Sequence, residues 1–74
     1  MTKDKAIQVA HDNVGVSILL DDIMQDRFSK LASAISNGGP QAQLEWLEEN
    51  GDLDAVLNLI DEELKLEEEN NGHS

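Results

Sequence analysis

The chain contains no cysteine, so neither a disulfide nor a thiolate metal site can hold it together. Its aromatic residues are Phe28 and Trp46, with no tyrosine. Strands favour β-branched and aromatic side chains. With aromatics this rare and Leu, Ala, Glu, Gln and Asp abundant, the composition favours helix. Basic residues are scarce as well: five Lys and Arg stand against sixteen Asp and Glu, a formal charge of −11. Phosphate contacts require clustered Lys and Arg, so direct nucleic-acid binding is disfavoured. Attachment to an anionic membrane surface is disfavoured for the same reason. The longest apolar run, Ile18-Leu19-Leu20, is far too short to span a bilayer, and the opening Met-Thr-Lys-Asp-Lys leads into no apolar targeting segment. Cytoplasmic residence is the default expectation.

The residues of the common catalytic motifs are also missing. Asn37-Gly38-Gly39-Pro40 has neither the spacing nor the lysine of a phosphate-binding loop. No serine lies in a nucleophile-elbow pattern. His11 and His73 stand near opposite ends of the chain, and a metal site would need both brought together with carboxylates. Asp21, Asp22 and Asp26 do not follow the alternating ligand pattern of a calcium loop, which also needs a mid-loop glycine. No catalytic, metal-ligating or cofactor-binding residue is therefore assigned, and no enzyme activity is expected. A metal-dependent activity using the Asp and Glu carboxylates is kept as a minor alternative.

The 74 residues amount to at most one domain. A core of that size supplies only about 3–5 kcal/mol, and in the absence of cysteine the natural supplement is self-association or docking on a partner. Periodicity predicts an all-α fold, a small bundle of about three helices. Leu20, Met24, Phe28, Leu31 and Ile35 recur every three or four residues, one apolar stripe on a long helix over about 17–36. Asn37-Gly38-Gly39 is expected to stop it, and Pro40 to open a short helix over about 40–49. Asn50-Gly51 closes that helix, and Asp52 is placed to cap a third over about 53–67. Its core stripe is Leu53, Val56, Leu57, Ile60 and Leu64.

Two stretches are ambiguous. Val14-Gly-Val-Ser-Ile-Leu-Leu20 reads as a short strand, as a helix capped by Asn13 or Ser17, or as the lead into a helix starting at Asp22. Residues 1–13 read either as an amphipathic helical arm or as a loose polar terminus. The expected organisation is thus an arm or terminus at 1–13, one helical domain at 14–69 and a disordered tail at 70–74.

Charge divides the chain. Residues 1–39 hold five acids against four bases, net −1, whereas residues 40–74 hold eleven acids against one base, net −10. A basic protein surface is the electrostatically natural partner. Apolar residues off the core stripes suggest where contact is made: Leu59 and Leu66, seven apart on the third helix, and Leu19 and Ile23 on the first. Trp46 is either a core anchor or an interface residue. Glu62, Glu63, Glu67 and Glu68 lie in the densest acidic run and are the candidate charged contacts.

Glu49-Asn-Gly-Asp-Leu-Asp-Ala-Val-Leu-Asn-Leu59 resembles the second-loop and third-helix signature of ubiquitin-associated (UBA-like) three-helix domains. The likeness extends to the similar module at the N-terminus of bacterial elongation factor Ts. It covers about eleven residues and implies a compact three-helix bundle over residues 22–64 that binds proteins. Where that family carries an apolar Met-Gly-Phe-type first loop, this chain has Asn37-Gly38-Gly39-Pro40, so no binding residue is carried across. A helix-turn-helix reading of the same pair fails because its would-be recognition helix, Asp54 to Glu63, offers no Lys or Arg.

The function expected from these features is that of a small acidic interaction protein, likened to phage or mobile-element accessory factors. It would bind, modulate and inhibit a partner protein, with a homodimer as the expected state. The alternative is a nucleic-acid mimic, whose carboxylates stand in for phosphates and block a DNA- or RNA-binding protein.

Overall fold

The computed structural model describes residues 1–71, with the side chains of 1–69. It is all-α. Helix α1 spans Lys3–Asp12, α2 Val14–Phe28, α3 Ala32–Ser36, α4 Gly39–Glu49 and α5 Leu53–Asn71, with a 3₁₀ turn at Ser29–Leu31 between α2 and α3. Residues 1–13 take the helical of their two readings. Thr2 caps α1 by accepting from the Lys5 N–H at 3.2 Å. The helix buries Ala6 and Ala10, whose small side chains let it lie close against its neighbours. The expected tail is helical at 70–71, and 72–74 lie outside the described residues, as does His73.

The ambiguity over residues 14–20 resolves as helix, with Asn13 as the start. Its Oδ1 accepts from the Val16 N–H at 3.1 Å, and its extended backbone separates α1 from α2. The long helix therefore begins at Val14 rather than near residue 17. No helix start occurs at Asp22, which lies in the middle of α2.

The second correction is at the other end. The apolar stripe that predicts one helix to residue 36 is interrupted at Ser29, which has φ 40° and ψ −97°. That combination lies outside the three regions open to an L-residue, at a cost of about 1–3 kcal/mol. Burial explains why the chain tolerates it. Residue 35 of a straight helix would lie about 16 Å along the axis beyond residue 24, clear of the short α1 and α4. The bend instead turns α3 back, so that Ala32 and Ile35 join the core beside α4. Leu31, which the spacing assigns to the same stripe, is left 51% exposed at the corner.

The α4–α5 turn follows its sequence signals closely. Gly51 has φ 77°; its N–H donates to Glu48 O, and the Asp52 N–H donates to Leu47 O at 2.8 Å. Those two bonds are the paired contacts of a Schellman motif, which needs a residue able to hold positive φ. The Asp52 carboxylate pairs with Arg27 Nη1 at 3.1 Å, joining the end of α2 to the start of α5. At the opposite end Asn13 Nδ2 donates to Glu67 Oε2 at 3.0 Å. These two contacts make α2 and α5 antiparallel.

Val16, Leu20 and Met24 of α2, Leu44 and Leu47 of α4, and Val56 and Ile60 of α5 form the fully buried centre, flanked by Ala6 and Ala10 of α1 and Ala32 and Ile35 of α3. One polar side chain enters it. Gln43 is 3% exposed and donates through Nε2 to Asp21 Oδ1 at 2.8 Å and Ser36 Oγ at 3.0 Å, tying together α2, α3 and α4. Among the described residues no buried side-chain polar atom lacks a partner, which the desolvation cost of an orphaned group requires.

Candidate interaction surface

Helix α5 has two faces because its apolar residues fall in two directions. At 100° per residue, Val56, Ile60 and Leu64 cluster toward the core, while Leu59 and Leu66 lie 20° from each other on a separate flank. Leu59 is 40% and Leu66 56% exposed. Glu62, Lys65, Leu66 and Glu69 together line a shallow open groove. The two leucines are therefore accessible, adjoin carboxylates, and are held on a helix whose other side is locked into the bundle.

The four candidate glutamates divide by what they touch. Glu62 and Glu68 are exposed. Glu67 accepts from Asn13, and both Glu63 and Glu67 reach the first turn of α2: a Cβ built on Gly15 would lie 3.4 Å from Glu63 Oε1 and 3.0 Å from Glu67 Oε1. A helix N-terminus carries partial positive charge and attracts carboxylates, so this pair already has an intramolecular task. Gly15 leaves room for it.

Leu19 and Ile23 are half-buried and pack against the core; on the wheel they lie about 40° and 80° from Gly15, which meets Glu63 and Glu67 of α5. The apolar residues that α2 turns outward are Val14 and Ile18, 75% and 55% exposed. They are four apart, and neither was singled out by sequence. The available signal was Asn13: a helix capped there puts both residues 120° or more from Leu20 on the wheel. Passing outward around α2 from Gly15, which lies against Glu63 and Glu67, the next residues are Asp22 and Ile18. Passing outward around α5 from Glu63, they are Leu59, Leu66 and Glu62. By wheel angle, Ile18 and Asp22 of α2 and Leu59, Leu66 and Glu62 of α5 all fall on the outer flank of the α2–α5 pair.

Trp46 is not part of it. The indole is 39% exposed and meets Phe28 edge-to-face, ring centroids 5.9 Å apart, near the end of the bundle marked by the Arg27–Asp52 pair. Leu66 is at the other end, beside the Glu67–Asn13 contact. Leu44 and Leu47 both fill the core, leaving the indole at its edge.

Most of the acidic surface lacks a counter-charge. The Lys3 ammonium is drawn to Glu48 at 3.1 Å, and chiefly that hydrogen bond holds its pKa above the ordinary 10.5. The N-terminal ammonium lies 3.4 Å from Asp61. Among the described residues no group of three or more His, Asp or Glu converges as metal ligands would, and His11 is exposed on α1. Among the described residues, no helix is long and apolar enough to cross a membrane.

The chain matches no protein-family model, no curated protein and no solved structure to which it was compared. The eleven-residue likeness to ubiquitin-associated domains consists of the residues that build the α4–α5 turn and its following helix.

Proposed function

We propose that this protein is a non-enzymatic interaction module that docks the outer face of α2 and α5 onto a basic surface of a partner protein and modulates that partner. The observation that carries the reading is the exposure of Leu59 and Leu66 on a helix flank rich in unneutralised carboxylate. Apolar area supplies affinity and the surrounding acids steer a basic partner and exclude acidic ones. The mimic reading asks for many free carboxylates along α5. Glu67 is bonded to Asn13 and Glu63 lies against Gly15, so the run is less available to a partner than its sequence suggests. The apolar-centred reading is favoured for that reason.

The test is affinity capture from the natural host followed by titration of the captured partner. Leu59→Asp with Leu66→Asp is expected to abolish binding, with a weak dependence on salt. Glu62→Gln with Glu68→Gln is expected to slow association and lower affinity modestly. Loss of binding in the glutamine variant alone, with a steep salt dependence, would favour the mimic instead. Unchanged binding in both variants would refute either surface.

Homodimer formation is part of the proposal. The buried core is small, and Val14 and Leu31, both more than half exposed and outside the docking face, leave apolar area for a second copy to cover. Light scattering after gel filtration measures it directly.

A further inference from the structure

The geometry points to a specific form of self-association: two copies exchange the segment after Ser29, and α2, the 3₁₀ turn and α3 straighten into one continuous helix in each chain. This rests on the homodimer reading and makes no use of the α5 docking face.

Three independent observations converge on Ser29. The sequence pattern from Leu20 through Ile35 is that of an unbroken helix, with no glycine or proline between Gly15 and Gly38. The bend is nevertheless made at a serine, in a backbone conformation that L-residues rarely adopt. Leu31, which the spacing places on the core stripe, is half exposed at the corner. Local preference and bundle closure thus oppose each other here, as in hinge segments that exchange.

The contacts that close the bundle are of the kind an exchange preserves. Asn13–Glu67, Asp21–Gln43, Arg27–Asp52, Phe28–Trp46 and Lys3–Glu48 each join a residue before Ser29 to one after it. In the exchanged dimer each re-forms with the second chain. Gln43–Ser36 lies wholly within the exchanged segment and moves with it. The core is kept, the strained residue relaxes, and the stripe runs uninterrupted. Opposing the exchange are the entropy of association and the repulsion of two chains of charge −11. Added salt therefore favours the dimer.

Substitution at position 29 moves the balance in opposite directions. Glycine accepts positive φ at little cost and favours the bend; alanine favours the straight helix. The full-length protein and its S29A and S29G variants are each refolded at high concentration and sized by light scattering after gel filtration. The chain lacks cysteine, so Arg27→Cys with Asp52→Cys can be joined by a short bis-maleimide and run on a denaturing gel. Exchange predicts a dimer in which this link joins two chains. It also predicts a dimer dissociation constant about tenfold lower in S29A and about tenfold higher in S29G. A dimer whose 27–52 link stays within one chain overturns the exchange and leaves the homodimer standing. Strict monomers in all three proteins overturn both. Equal dimerisation of S29A and S29G overturns the role of the hinge.

Discussion

Replacing Asn13 with alanine removes two interactions made by opposite ends of one amide. Its Oδ1 caps α2 through the Val16 N–H at 3.1 Å, and its Nδ2 donates to the Glu67 carboxylate at 3.0 Å. Loss of an N-cap costs about 1 kcal/mol. A hydrogen bond to a charged acceptor contributes about 1.5–3 kcal/mol, and its partial exposure puts this one at the lower end. The sum, about 2.5 kcal/mol, is roughly half or more of what a core of this size supplies. With about 4–8 °C lost per kcal/mol in a domain this small, the melting temperature should fall by about 10–20 °C. Asn13→Asp separates the two roles, because aspartate caps as well as asparagine but cannot donate to Glu67. It also places a third carboxylate beside those of Glu63 and Glu67. In N13D that like-charge crowding opposes ionisation in the folded state only, so the folded form takes up protons more readily than the unfolded one. The deficit of N13D is accordingly largest at neutral pH and shrinks as pH falls toward about 4. Urea titrations of both variants at neutral and acid pH provide the readout. An N13A protein within about 0.5 kcal/mol of the parent, the usual range of a neutral surface change, would refute the double role. An N13D deficit independent of pH would refute the electrostatic part.

Two further predictions concern packing. A Cβ at Gly38 would lie 2.5 Å from that of Ala42, a short and inflexible neighbour, so Gly38→Ala should cost about 1–3 kcal/mol; Ala42→Gly in the same chain should recover most of it, as read from chemical denaturation. Ile60 is fully buried, and Ile60→Ala should cost about 2–5 kcal/mol, enough to leave much of the protein unfolded by far-UV circular dichroism at room temperature.

Most helix boundaries were legible because short-range chemistry sets them. Pro40 near the start of α4 and Gly51 at positive φ after it act within a few residues of themselves, whereas the carboxylate of Asp52, expected to cap α5, pairs with Arg27. Asn13 was legible in part: the sequence allows three helix starts, at Asn13, Ser17 and Asp22, and the bond that distinguishes Asn13 reaches Glu67, 54 residues away. The break at Ser29 was not legible, since no breaker residue marks it. It arises from the need of Ala32 and Ile35 to reach a core that other helices define. Gln43 was overlooked because nothing local distinguishes a buried glutamine from a solvated one, and its partners lie on two other helices.

The interaction surface shows the same division. Leu59 and Leu66 were identifiable from their angle on α5 alone, and the structure leaves them accessible. The two apolar residues named on α2 are half-buried against the core. Leu19 and Ile23 are off the main stripe, but they lie toward Gly15, which meets Glu63 and Glu67 of α5, and Ile18 faces outward instead. Glu63 and Glu67 looked equivalent to Glu62 and Glu68 until the first turn of α2 was placed beside them.

Sequence alone determined the helical class, the turns on either side of α4, the two faces of α5 and the concentration of negative charge in the second half. All of these follow from propensity, capping and periodicity, which act over one or two helical turns. Tertiary structure alone decided where the long helix bends, which glutamates are engaged, and which apolar residues remain exposed. Those depend on which helices become neighbours, and burial across that packing outweighs local preference wherever the two conflict, as they do at Ser29.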